Sequence, residues 1–163
     1  MPSESEMRRH RCCFTGHRPE KLYRSEIAIR EDLENEIRKA ISDGFTVFIT
    51  GMARGVDLDA GEIVLQLRME GFPIRLICAI PYPGFERSWS DEWQRRYDSV
   101  LSKADLVRYI CPEYNRACFH KRNEWMVAHS ARVIAVFNGQ TSGTKNTIDY
   151  AHRQGVPVIQ IEG

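Results

Sequence analysis

The chain has 163 residues, enough for one domain with a substantial core. Lys and Arg number 23 against 22 Asp and Glu, a net charge of +1, so the whole molecule exerts no electrostatic pull on nucleic acid or membrane and any basic site must be local. Its apolar runs are far too short to span a bilayer, and Met1-Pro2-Ser3-Glu4-Ser5-Glu6 is followed by no hydrophobic stretch, so a cytoplasmic protein with no membrane partner and no secretory signal is expected.

Residues 1–10 are polar and charged and read as a mobile tail, followed by a single domain over 11–163. Apolar, largely β-branched runs predict strands at Arg11–Phe14, Thr46–Thr50, Ile74–Ile80, Leu106–Ile110, Arg132–Phe137 and Val156–Ile161. Most are continuously apolar, as parallel strands covered on both faces should be. Between them lie helical patterns. Ile27–Ser42 puts Leu33, Ile37, Ala40 and Ile41 on one face before Gly44 stops it. Asp57–Met69 is apolar on more than one side and predicts a well-buried helix ended by Gly71. Trp89–Ser102 carries Trp89, Trp93 and Tyr97 at helical spacing, a stripe that suits either core or interface. Arg116–Ser130 and Thr144–Gln154 complete the series.

This alternation predicts an α/β fold, a Rossmann-like doubly wound three-layer sandwich with a mainly parallel sheet of about six strands. The five cysteines, Cys12, Cys13, Cys78, Cys111 and Cys118, include no Cys-x-x-Cys pair and read as reduced, buried thiols, with no metal site and no cofactor implied.

Ligands bind such sheets beyond the carboxyl ends of the strands, so the loops there carry the functional reading. After the first strand, Thr15-Gly16-His17-Arg18-Pro19 offers close backbone approach at Gly16 and side-chain donors at His17 and Arg18. After the second, Gly51-Met52-Ala53-Arg54-Gly55-Val56-Asp57 presents main chain and a helix N-terminus to an anion. In it Asp57 suits a helix cap or a ligand hydroxyl, and Arg54 suits phosphate or a pairing with Asp57 or Asp59. Pro81-Tyr82-Pro83-Gly84-Phe85 makes a stiff aromatic wall for a flat ring, or a rigid cover for the core edge. Arg122 and Asn123 lie one turn before Met126, with Glu113 or Glu124 available to neutralise Arg122 and with Tyr114 and Asn123 as donors to a ribose or base. Ser142-Gly143-Thr144 opens the last helix as a second anion nest, although Lys145 does not fall in a Walker A register and no Gly-x-Gly-x-x-Gly fingerprint is present.

Thr50-Gly51-Met52-Ala53-Arg54-Gly55-Val56-Asp57, with Ala60, resembles the Gly-x-Ala-Arg-Gly-Ile-Asp motif of the DNA-processing family DprA (Smf). Cys13-Phe14-Thr15-Gly16-His17-Arg18-Pro19, Arg122-Asn123-x-x-Met126-Val127 and Ser142-Gly143-Thr144-x-x-Thr147 together resemble the YpsA/YoqJ-like family more closely. Both belong to the SLOG superfamily of Rossmann-like domains, which also holds the Lonely Guy phosphoribohydrolases.

The resemblance implies a nucleotide or nucleotide-derived ligand at the strand ends and a sensor or regulatory role. Lonely Guy enzymes cleave nucleoside monophosphates with an Arg in Arg-Lys-x-x-Met and a Glu in Gly-Gly-x-Gly-Thr-x-x-Glu. Arg122, Met126, Gly143 and Thr144 match those motifs, Asn123 replaces the Lys, and Thr147 stands where the Glu belongs. Threonine supplies no carboxylate, so the resemblance points to binding rather than cleavage, with Arg122 as the catalytic residue only if Asp149, Glu62 or another carboxylate substitutes. The DprA likeness implies the alternative of single-stranded DNA, gripped by Arg8, Arg9, Arg11, Arg18 and Lys21 with Tyr82, Phe85 and Trp89 for stacking. Relatives often form dimers or larger assemblies, so the resemblance leaves both a monomer and a homo-oligomer open.

Overall fold

In the computed structural model, which describes residues 1–163, the apolar runs become six strands: β1 (Arg11–Gly16), β2 (Val47–Thr50), β3 (Arg75–Ile80), β4 (Leu106–Tyr109), β5 (Arg132–Phe137) and β6 (Val158–Glu162). All pair in parallel, in the order β4-β3-β2-β1-β5-β6. The chain builds outward from β1 to β4, then crosses back to lay β5 on the other side of β1. The order therefore reverses between β1 and β5, which opens a crevice at their carboxyl ends.

Six helices accompany the strands: α1 (Glu4–Arg8), α2 (Glu26–Ser42), α3 (Val56–Met69), α4 (Asp91–Lys103), α5 (Cys118–Ala128) and α6 (Gly143–Arg153). Alternate strand residues feed two cores, as the two-residue period of a strand requires. Cys12, Phe14, Phe48, Leu76, Ile134 and Val136 pack under α2, α3 and α4. Cys13, Ile49, Ala79, Val133 and Ala135 pack under α5 and α6. All five cysteines are free and buried.

Helix α2 is capped by Ser25, whose hydroxyl accepts from the Ala28 amide at 3.2 Å, and it buries Ile29, Leu33, Ile37 and Ala40, with Ile41 only half-buried at the edge. Helix α3 is buried on several sides because it lies over β1, β2 and β3 between α2 and α4. Trp89 falls outside α4, in the turn before it, because the Ser90 side chain caps the helix by accepting from the Trp93 amide. Tyr97 and Val100 from α4 enter the core, whereas Trp93 lies half-buried beneath the Arg96 guanidinium, 4.3 Å from its ring centre.

A charged clasp ties these three helices together. Asp59 on α3 is 2 % exposed and takes Arg30 of α2 at 2.9 Å and Arg96 of α4 at 2.7 Å. Glu62 receives the same two arginines, each at 2.8 Å.

The expected tail holds the short helix α1. Ser3 and Glu6 form a reciprocal capping box, and Glu4 pairs with Arg11 at 2.7 Å. Arg8 Nε donates to the Ser130 carbonyl at 3.1 Å, which anchors the helix at the amino ends of the strands. No helix is long and apolar enough to cross a membrane.

Helix α3 approaches the end of β1 so closely that a Cβ on Gly16 would lie 2.5 Å from Val56 Cβ. Gly16→Ala is therefore expected to lower stability by about 1–3 kcal/mol through overpacking, read as a lower urea midpoint at unchanged m-value.

Candidate functional site

The strand ends converge on a cleft of about 630 Å³. Its floor begins with the turn after β2. Thr50 Oγ1 donates to the Asp57 carbonyl at 2.7 Å and tethers the turn to the start of α3. Met52, fully buried, sits at φ +66°, a conformation rare for a non-glycine residue that the surrounding packing must enforce. Gly55 at φ +90° places its Cα where a Cβ would meet the His17 carbonyl at 2.9 Å. A Cβ on Gly51 would lie 2.8 Å from both Arg122 Nη1 and Asp57 Oδ2, so these two charged groups close over a position that only glycine can fill.

Asp57 does not cap α3. Gly55 is the N-cap residue and offers no side chain, while the Asp57 carboxylate turns back and accepts from the Ala53 amide at 3.2 Å. Burial pushes this carboxyl up to about 6, against the opposing pull of Arg122 and the Ala53 amide. Arg54 takes neither Asp57 nor Asp59 but Glu20, at 3.0 Å, because Asp59 is already engaged in the clasp.

Arg122 projects from α5 and is 5 % exposed. Nη1 donates to the Gly51 carbonyl and Nε to Asn123 Oδ1 at 2.8 Å. The Phe119 ring lies 5.8 Å from the guanidinium carbon. Nη2 makes no hydrogen bond within the protein and opens on the cleft. Burial lowers its pKa, and Asp57 opposes that shift. Neither glutamate expected beside it is there: Glu124 pairs with His120 at 3.2 Å, and Glu113 offers its carbonyl to the Cys118 thiol.

The crevice between β1 and β5 is stitched by His17. Its Nε2 accepts from the Asn138 amide at 3.1 Å, and its ring stacks on Phe137 at 5.8 Å between centres. Burial lowers its pKa, so the ring is neutral with the proton on Nδ1, a donor left for the cleft. Asn138 is the partner that the sequence pattern did not reveal, since it lies 121 residues away. On α6 the Ser142 hydroxyl caps the helix through the Lys145 amide at 3.2 Å. The Gly143 and Thr144 amides, in the first turn, have no intrahelical partner. Thr147 spends its hydroxyl on the Gly143 carbonyl at 2.9 Å.

Aromatic rings make the far wall. Tyr82 meets Tyr114 edge-on at 5.3 Å and Phe119 at 6.0 Å, while Phe85 meets Trp89 at 5.0 Å. Phe85 is 7 % exposed and belongs to the core, whereas Tyr82 and Trp89 are half-buried and line the cleft, so the segment is core cover and wall together.

Thr15, Gly16, His17, Arg18, Ala53, Arg54, Asp57, Tyr82, Arg122, Asn123, Ser142, Gly143 and Thr144 thus share one cleft. Gly51, Gly55 and Pro81 do not line it. Gly51 holds Arg122 from behind, Gly55 packs against the His17–Pro19 turn, and Pro81 is buried with its carbonyl on the Cys111 amide. Glu20, Lys21, Phe119, Met126 and Thr141 line it as well. Glu20 and Phe119 carried no sequence signal, because only the turn after β1 and the approach of α5 bring them in.

Asp57 and Glu20 are the cleft's carboxylates; Glu62 lies in the clasp and Asp149 pairs with Lys145 at 2.8 Å. The basic cluster that looks continuous in sequence is split by β1. Arg18 and Lys21 border the cleft, whereas Arg8 and Arg11 anchor α1 about 20 Å away at the other end of the strand. A separate groove of about 500 Å³, lined by Met7, Ile77, Leu106 and Trp125, lies on the α5 side of the sheet, away from these loops.

A Rossmann-like parallel sheet with a glycine-rich turn after its second strand and a buried arginine at its strand ends is the arrangement of a SLOG domain. Residues 12–157 match the family YpsA, described as the YspA SLOG family, and the chain belongs to it. It is 32 % identical to the SPbeta prophage-derived protein YoqJ of Bacillus subtilis (strain 168) over 148 residues, covering 82 % of this chain and 81 % of that one. It is 26 % identical to the UPF0398 protein ABC2016 of Shouchella clausii (strain KSM-K16), with 83 % and 77 % covered.

Among solved structures it superposes on DNA processing protein A from Streptococcus pneumoniae with a TM-score of 0.69 at 20 % identity, over 96 % of this chain and 52 % of that one. The same protein from Helicobacter pylori, described for its single-stranded DNA binding mode, gives 0.67 at 18 % identity, over 94 % and 65 %. The chain thus spans about half of the first protein and 65 % of the second, and the likeness establishes a shared fold.

The unfolded chain releases the Asp57 proton near pH 4, whereas the fold holds it to about 6. Stability from the neutral carboxyl is therefore full below pH 4 and lost as pH rises through 6. Asp57→Asn keeps the shape and cannot ionise. It is expected to exceed the parent by on the order of 1–3 kcal/mol at pH 7.5 and to approach it at pH 4. Urea melts at the two pH values check this, and an equal difference at both would remove Asp57 ionisation as the cause.

Proposed function

We propose that the cleft binds a nucleotide or nucleotide-derived small molecule and that the protein acts through this binding as a sensor or regulatory component. The observation that carries the reading is Arg122, a buried guanidinium with one terminal nitrogen left without a protein partner on the cleft wall. A buried cation lacking a full complement of acceptors is costly, and a phosphate is well suited to complete it. The free Gly143 and Thr144 amides, His17 and the exposed, unpaired Arg18 and Lys21 add donors of the same sign. Tyr82 and Phe119 provide faces and edges for a base.

Glycosidic cleavage of the phosphoribohydrolase type is the weaker reading. The Thr147 hydroxyl is engaged, and neither Asp149 nor Glu62 reaches the cleft. Single-stranded DNA is the second reading, favoured by the fold shared with the Helicobacter pylori protein. On this chain it would run over Arg18, Lys21 and Arg54 rather than the N-terminal arginines.

Thermal shifts with a panel of nucleoside mono-, di- and triphosphates test the first reading. At about 100 times Kd a ligand adds about 2.7 kcal/mol, a rise of roughly 5–10 °C for a domain of this size. Arg122→Gln and Gly143→Val are expected to abolish the rise. The space around a Cβ at Gly143 is open, so the valine obstructs the cleft without straining the fold. Full retention of the shift in both variants would overturn the phosphate site. Salt-sensitive retention of an oligonucleotide, lost when Arg18, Lys21 and Arg54 are neutralised, would instead favour DNA.

A further inference from the structure

We infer that Asp57 accepts hydrogen bonds from the vicinal hydroxyls of a ribose, so that the cleft takes ribonucleotides in preference to 2′-deoxyribonucleotides. The inference rests on the nucleotide reading above and adds the class of sugar. Asp57 is only 7 % exposed, yet its carboxylate receives a single protein hydrogen bond, from the Ala53 amide to Oδ2. Oδ1 accepts nothing from the protein and opens on the cleft. Arg122 stands beside it but turns Nη1 to the Gly51 carbonyl and forms no ion pair with it. Asp57 is therefore an acceptor in want of a donor, and a phosphate, itself an anion, cannot supply one.

Strand order says which part of a nucleotide lies over it. The phosphate donors Gly143, Thr144 and His17 follow β5 and β1, and the aromatic wall at Tyr82 follows β3. β2, which delivers Asp57, lies between β1 and β3. Neighbouring strands are about 4.8 Å apart, so the span from β5 to β3 is about 14 Å, on the scale of one nucleotide laid across the sheet. With the phosphate held between the Gly143 and Thr144 amides and the free nitrogen of Arg122, and the base at the aromatic wall, the sugar rests on β2 beside Asp57. Its hydroxyls are neutral donors of the kind that Oδ1 lacks, and an acidic residue beyond the second strand serves ribose hydroxyls in dinucleotide-binding sheets for the same reason.

The sibling carboxylate is the internal contrast. Asp59, two residues on, is as deeply buried, but two arginines satisfy it and nothing remains for a ligand.

The test uses the four ribonucleoside 5′-monophosphates and the four 2′-deoxyribonucleoside 5′-monophosphates, titrated calorimetrically into the full chain at pH 7.5. Among those that bind, the ribose form is expected to be at least about tenfold tighter in the parent, the value of one hydrogen bond to a charged acceptor. In Asp57→Asn the Ala53 contact is retained by the amide oxygen and the charged acceptor gives way to a neutral amide that a hydroxyl meets only as an acceptor, so the ratio should fall several-fold. Equal affinity for ribose and deoxyribose forms in the parent overturns the inference and leaves the nucleotide reading standing. An undiminished ratio in Asp57→Asn overturns the assignment to Asp57. Silence from all eight on folded protein overturns the inference, and silence from the di- and triphosphates as well overturns the nucleotide reading itself.

Discussion

One juncture supports the whole carboxyl end of the sheet: the buried guanidinium of Arg122 resting on the Gly51 carbonyl beside Asp57. It joins α5, from one face of the sheet, to the turn that leads into α3 on the other. Any side chain at Gly51 would drive these groups apart. The turn holds its shape because Thr50 ties down the Asp57 carbonyl and the Ala53 amide holds one oxygen of its carboxylate. The charged pair is thus positioned by neutral contacts, and each member keeps one atom free for the cleft.

Asp57 and Asp59 show how environment separates two identical groups on one helix. Burial raises both carboxyls to about 6. Asp59 is also raised by Glu26 and drawn back by Arg30, and its partners hold α2, α3 and α4 in register. Asp57 has a backbone amide and a neighbouring cation that bonds elsewhere. A fully satisfied network favours rigidity, whereas an under-satisfied carboxylate at a cleft costs stability and is retained where a ligand can complete it.

The reversal of strand order supplies the remaining geometry. Between β1 and β5 the following chains depart to opposite faces, so the loops diverge and leave room for a ligand. His17 spans that gap to the Asn138 amide, which fixes its tautomer and makes it a neutral donor. The aromatic wall closes the other end through edge-to-face contacts, with Phe85 rooted in the core so that Tyr82 can stay half-exposed.

The strand runs, the parallel sheet and thirteen of the cleft's residues were legible in the order of residues, because burial on both faces demands unbroken apolar strands and strand-end loops must face one way. Local chemistry marked Gly51 and Gly55 for close approach to a phosphate, whereas the fold packs them against Arg122 and the His17–Pro19 turn. Partner choice was not legible. Arg54 meets Glu20, His17 meets Asn138, and Asp59 meets Arg30 and Arg96, all across loops or helices whose relative placement depends on packing. The run of basic residues from Arg8 to Lys21 misleads for the same reason, since an extended strand carries its two halves to opposite ends of the sheet. Periodicity and turn chemistry act over a few residues and specify which elements form. Which charges are satisfied and which are left for a ligand depends on distances between elements, and those exist only once the sheet has closed its two cores.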